Sequence, residues 1–75
     1  MFKKFLNGVG RKIAKRRKTI KVTQRDVSKK ADISYRYYQS IESGEANITI
    51  ATLFKLANYF EVEPCELLPK PEELK

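Results

Sequence analysis

Residues 23–44 read Thr-Gln-Arg-Asp-Val-Ser-Lys-Lys-Ala-Asp-Ile-Ser-Tyr-Arg-Tyr-Tyr-Gln-Ser-Ile-Glu-Ser-Gly. Two polar residues in this stretch, Thr23 and Ser34, can each cap a helix by accepting a hydrogen bond from a free backbone N–H of the first turn. Each is flanked by an apolar pair, Val22 with Val27 and Ile33 with Tyr38, placed so that the residue before the cap meets one inside the helix. Between them Ala31-Asp32-Ile33 leaves room only for a tight turn. Asp32 is expected to take a left-handed conformation there, which Asp tolerates better than most residues. Gly44 closes the second helix as glycine often does. Two short amphipathic helices meeting at such a turn can hold one helix in the major groove of DNA.

The same start signature recurs outward from this pair. Thr49 stands between Ile48 and Leu53, and Pro64, suited to a first helical position, stands between Val62 and Leu67. Four starts in register predict helices near residues 23–30, 34–43, 49–60 and 64–68. Ahead of them Phe2, Phe5, Leu6, Val9, Ile13 and Ile20 fall on one stripe at about 100° per residue. Gly8 and Gly10 weaken the early part, so the first helix is expected near residues 9–19. Arg17 lies on the same apolar stripe, where a guanidinium needs a partner. Alternation of period two is not sustained, which argues against strands. The fold class expected is all-α: a compact five-helix bundle containing a helix-turn-helix. Residues 1–8 read as a basic N-terminal extension, 9–68 as the helix-turn-helix domain and 69–75 as an exposed C-terminal tail. The expected core is Val9, Ile13, Val27, Ile33, Tyr38, Ile41, Ile50, Leu53, Leu56, Ala57, Phe60, Val62, Leu67 and Leu68.

Charge is divided unevenly along the 75 residues. Residues 1–44 carry 13 Lys and Arg against 3 Asp and Glu, a net +10, while residues 45–75 carry 3 against 6, a net −3. A basic first half with an acidic remainder points to a polyanion held on one face. Cys65 is the single cysteine and there is no histidine, so neither an internal disulfide nor a zinc site is expected, and a reduced, intracellular setting fits. No metal, phosphate loop or nucleophile–base spacing suggests an enzyme, and no cofactor is expected. No apolar run approaches the length of a membrane span.

On the helix 34–43, Tyr35, Arg36, Gln39, Ser40 and Ser43 share one face, and Tyr38 and Ile41 point the other way. The outward face thus offers hydrogen-bonding groups and one cation without a large aliphatic residue, which suits base edges and phosphates. Base contacts are expected from Tyr35, Arg36, Gln39 and Ser40. Phosphate contacts are expected from Thr23, Gln24 and Arg25 at the start of the preceding helix, from Lys18 and Lys21 nearby, and from Tyr37, Ser43 and Asn47.

From Val9 to Leu68 the sequence resembles the lambda-repressor-like helix-turn-helix family, also called the Cro/repressor or XRE family. The resemblance is carried by Thr23-Gln24, Ser28, Ile33-Ser34, Ile41-Glu42-x-Gly44, Leu53-x-x-Leu56-Ala57, Phe60-x-Val62-x-Pro64 and Leu67-Leu68. It implies a five-helix bundle whose third helix reads double-stranded DNA, with Tyr35, Arg36, Ser40 and the neighbouring Gln39 at the reading positions. It implies that Gln24 meets a phosphate and braces the reader, and that Arg17 pairs with Glu42. It further implies a cytoplasmic, nucleoid-associated transcription regulator of bacterial or phage origin, a repressor or autoregulator. Such a protein works as a homodimer through its C-terminal helices, here with Tyr59 and the tail as candidate contacts. Three positions depart from the family pattern: Asp32 stands where Gly is usual, Tyr38 where Ile or Val is, and Glu45 where Lys or Arg is frequent. A reading of another class is a protein-interaction or membrane-surface module, because residues 1–18 are basic and amphipathic. The plainer account of that segment, a first helix whose apolar side joins the core, is preferred.

Overall fold

The computed structural model describes residues 2–74. They form four α-helices, α1 (Phe2–Thr19), α2 (Gln24–Lys30), α3 (Tyr35–Ser43) and α4 (Ile50–Phe60), then two 3-10 turns at Pro64–Leu67 and Pro71–Leu74. The fifth helix of the bundle is thus one 3-10 turn, with Pro64 at its start. No strand occurs among the described residues.

Local chemistry sets the helix starts. The Thr23 hydroxyl accepts from the Asp26 N–H at 3.1 Å, and the Asp26 carboxylate accepts from the Thr23 N–H at 3.0 Å. Ser34 accepts from the Tyr37 N–H at 3.2 Å and Thr49 from the Thr52 N–H at 3.0 Å. Asp32 is left-handed, with φ 58°, and Gly44 ends α3 with φ 82°. The turn between α2 and α3 is tied from outside: the Ile33 N–H donates to the Ser28 carbonyl at 2.9 Å, and the Lys55 ammonium on α4 donates to the Asp32 carbonyl at 3.2 Å.

The first helix begins at Phe2, not near Val9. The glycines that argued for a later start are places of close approach. A methyl group on Gly10 would collide with the carbonyl oxygens of Ile41 and Glu42, and one on Gly8 would stand 3.0 Å from the Pro69 ring. Each glycine costs a helix about 1 kcal/mol relative to alanine. Here the cost is offset by burial of Leu6 and Val9 and by seating α1 against the end of α3. The tail is not wholly exposed either. Pro69 is buried, and Glu73 lies 3.3 Å from Lys12. Met1 and Lys75, the outermost residues of the expected extension and tail, lie outside the described residues.

The core is Leu6, Val9, Ile13, Val27, Ala31, Tyr38, Ile41, Leu53, Leu56, Ala57, Phe60 and Leu67. Leu6 and Ala31 join it unforeseen, while Ile33, Val62 and Leu68 are half-buried against it. Ile50 does not belong: it is 81% exposed. It stands in the first turn of α4, rotated about 60° from Leu53, and the half-buried Ile48 covers the core ahead of it. Of the apolar stripe of the first segment, Leu6, Val9 and Ile13 are buried and Phe5 is half-buried, while Phe2 and Ile20 at its two ends are exposed. No helix of the described residues is long and apolar enough to cross a membrane.

Candidate nucleic-acid interface

The inner side of α3 is organised around one carboxylate. Glu42 accepts from Arg17 Nε at 2.7 Å and Arg17 Nη2 at 3.2 Å, from Gln24 Nε2 at 2.9 Å, and from the Tyr38 hydroxyl. The remaining guanidinium nitrogen, Nη1, donates to the Val22 carbonyl at 3.1 Å. The Arg17 and Glu42 side chains are only 15% and 8% exposed, so the structure brings together a nearly buried, bidentate ion pair that joins α1 to α3, with Gln24 adding α2. Burial alone would raise the Glu42 carboxyl, but the hydrogen bonds from Arg17, Tyr38 and Gln24 outweigh it and hold the group below its ordinary range. The hydrogen bond to Glu42 raises Arg17. Burial, then the bond to Glu42, pushes the Tyr38 phenol well up. Tyr38, a departure from the family pattern, thus has its ring in the core and its hydroxyl on the carboxylate.

The outer side of α3 is open. Arg36, Gln39 and Ser43 are exposed, and Tyr35 and Ser40 are half-buried. The Arg36 guanidinium has no carboxylate partner within ion-pair distance among the described residues. The Ser40 hydroxyl donates to the Arg36 carbonyl at 3.1 Å, and Ser43 donates to the Ser40 carbonyl at 3.0 Å with Glu45 Oε1 at 3.3 Å. Tyr35 is packed from the side: the Arg25 guanidinium stands over its ring, 4.1 Å from the centroid. This stacking of cation on aromatic face joins the first turn of α2 to the first turn of α3. Sequence reasoning placed Arg25 on a phosphate and missed the stack, since nothing in the spacing of residues 25 and 35 pairs them.

The first turn of α2 lies alongside. Gln24 spends its amide nitrogen on Glu42, and its amide oxygen lies 3.5 Å from the Gln39 amide nitrogen, so its side chain braces α3 from both ends. Thr23 and Arg25 are exposed, as are Lys18 at the end of α1 and Lys21 in the connection to α2. Beyond α3, the Tyr37 hydroxyl donates to the Asn47 carbonyl at 2.8 Å. This bond fixes the loop between α3 and α4 and leaves the Asn47 side chain outward on an exposed residue.

A helix-turn-helix family model matches residues 13–67, from the second half of α1 to the 3-10 turn after α4. The chain belongs to the XRE-type helix-turn-helix family. Membership gives the coarse function, that of a DNA-binding transcriptional regulator. The chain is 34% identical over 65 residues to the uncharacterized HTH-type transcriptional regulator y4dJ of Sinorhizobium fredii strain NGR234, covering 87% of this chain and 84% of that protein. Its fold superposes with a TM-score of 0.80 on the restriction-modification controller protein C.AhdI from Aeromonas hydrophila, at 24% identity, over 83% of this chain and 94% of the other. At that identity the superposition speaks for the fold alone.

Proposed function

We propose that this chain is a repressor or autoregulator that reads double-stranded DNA as a homodimer, with α3 in the major groove. The observation that carries the reading is the division of α3. Its inner face is fixed by a nearly buried carboxylate with four donated hydrogen bonds, and its outer face presents polar groups and one unpaired cation. Arg36 is suited to a guanine O6 and N7, Gln39 to an adenine N6 and N7, and Ser40 to either kind of edge. Tyr35, held edge-out under Arg25, contacts a base edge or a thymine methyl. Thr23 accepts its cap bond and keeps a hydroxyl proton to donate to a phosphate. Arg25, Lys18, Lys21, Ser43, the Asn47 side chain and the helix starts of Gln24 and Tyr37 complete the backbone contacts.

One bundle reads only a few base pairs, and two bundles related by a two-fold axis double the site. Selection of binding sites from a random duplex library with the purified protein, at near-physiological salt, tests the reading. The expected result is an inverted repeat with half-site centres about 10 base pairs apart. Binding without enrichment that collapses as salt rises would mean phosphate attraction only, and the proposal would fail.

A further inference from the structure

Arg25 is the second residue of α2 and Tyr35 the first of α3. A cation in the first turn of a helix stands at the positive end of its dipole, where like charge is disfavoured. The neighbouring carboxylate does not compensate it, because Asp26 accepts from the Thr23 N–H at 3.0 Å and holds the cap. Among the described residues no carboxylate lies within ion-pair distance of the Arg25 guanidinium. What the group meets is the Tyr35 ring, 4.1 Å from the centroid. The other outward positions of α3 are braced differently. Gln39 lies 3.5 Å from the Gln24 amide oxygen, and the Ser40 hydroxyl donates to the Arg36 carbonyl at 3.1 Å. Gln24 itself is committed to Glu42 at 2.9 Å, so the first turn of α3 is left to Arg25.

We infer that Arg25 is a positioning residue for base reading: stacked on Tyr35, with its N–H edge on a phosphate, it holds the tyrosine ring at one base pair and sets the preference there. The inference rests on the DNA-reading proposal above and deepens it. A guanidinium can do both jobs at once. Its flat face stacks on an aromatic ring, while its N–H donors lie in the plane and stay free at the edges for a phosphate. An ammonium in the same place can hold the phosphate but has no flat face to lay on the ring. Backbone contacts taken alone carry no sequence information. Here the phosphate fixes the guanidinium and the guanidinium fixes the ring, so a contact to the backbone is converted into a preference for a base. A ring free to swing would meet several base edges about equally well, whereas a clamped ring meets one.

Site selection from a random duplex library reads this directly when run on the full chain as wild type, Tyr35→Leu, Arg25→Lys, Arg25→Ala and the double variant Tyr35→Leu with Arg25→Lys. Each variant is first checked for unchanged helical circular dichroism. Tyr35→Leu marks the base pair in question by losing the preference there. Arg25→Lys keeps the charge, so the salt dependence of binding stays at the wild-type value. Discrimination at that same base pair nevertheless falls by at least about fivefold, as for loss of a cation–π contact screened from water. Once residue 35 is leucine, Arg25→Lys has no further effect there. Arg25→Ala shows the same relaxed preference and also lowers the salt slope by about one. An Arg25→Lys chain that selects the wild-type sequence, with Arg25→Ala weakening all sites alike, overturns the inference and leaves Arg25 a backbone contact. An Arg25→Lys effect that persists undiminished beside Tyr35→Leu, or that falls on another base pair, means that Arg25 acts without the tyrosine and overturns it as well. So does a Tyr35→Leu chain that keeps every selected position. In each of these cases the DNA-reading proposal stands. A wild-type chain that selects no sequence overturns that proposal and this inference with it.

Discussion

On its inner face α3 carries Tyr38, Ile41 and Glu42: the Tyr38 hydroxyl bonds to Glu42, Glu42 is bonded to Arg17 of α1 and Gln24 of α2, and Tyr38 and Ile41 are in the core. On its outer face the same nine residues carry Tyr35, Arg36, Gln39, Ser40 and Ser43; the two serine hydroxyls bond within α3, and Gln39 and Tyr35 reach Gln24 and Arg25 of α2. The face that holds the fold and the face proposed for recognition are thus separated by half a helical turn. Substitutions inside should change stability first and DNA affinity only through it, and substitutions outside should do the reverse.

The largest expected effect lies inside. Arg17→Ala leaves Glu42 a nearly buried, uncompensated charge, and the loss of a buried ion-pair partner costs about 3–5 kcal/mol. Chemical denaturation measures it, and an unchanged melting temperature would erase the contrast between the faces. Replacing the pair together, Arg17→Met with Glu42→Leu, should cost clearly less. Next comes Gly10→Ala, which forces a methyl against the Ile41 and Glu42 carbonyls; overpacking of this kind costs about 1–3 kcal/mol. On the outer face, Arg36→Ala should weaken binding to the selected operator by about 1–3 kcal/mol. Its thermal midpoint should stay at the wild-type value, because the side chain is exposed and unpaired. A fall in melting temperature equal to the fall in affinity would show that the outer face is also structural.

The subtlest effect is pH dependence. The folded Glu42 carboxyl sits below its ordinary value of 4.5, so its contribution to stability is present above that value and is lost as pH falls through the lowered one. Glu42→Gln, already less stable at neutral pH, should therefore lose less on acidification. Parallel acid denaturation curves for wild type and variant would mean that the carboxylate is not the group that titrates.

Much of the fold was legible because its determinants are local. Thr23, Ser34 and Thr49 cap helices through bonds to residues three positions on, and Asp32 and Gly44 reveal their backbone conformation by side-chain type. For Arg17, a guanidinium on an apolar stripe required a partner, and the family resemblance named Glu42 as that partner. What stayed hidden depends on distant neighbours. Gly8 and Gly10 read as weakening the start of the first helix until Pro69 and the end of α3 are seen against them. Ile50 read as core on apolarity alone, and only the position of its turn relative to the bundle leaves it outside. Arg25 over Tyr35 is a meeting of an exposed and a half-buried residue from different helices, and no pattern along the chain announces it.

The Glu42 carboxylate collects donors from residues 25 and 18 positions away as well as from its own helix. Its desolvation is therefore tolerable only when α1, α2 and α3 have all arrived. A partly folded species with α3 formed but α1 undocked would hold that charge without its guanidinium, so it should not accumulate. Amide protons of α1 and α3 are then expected to exchange with solvent through one shared opening rather than helix by helix, and the segment from Thr23 to Gly44 cut from the chain should not keep its shape.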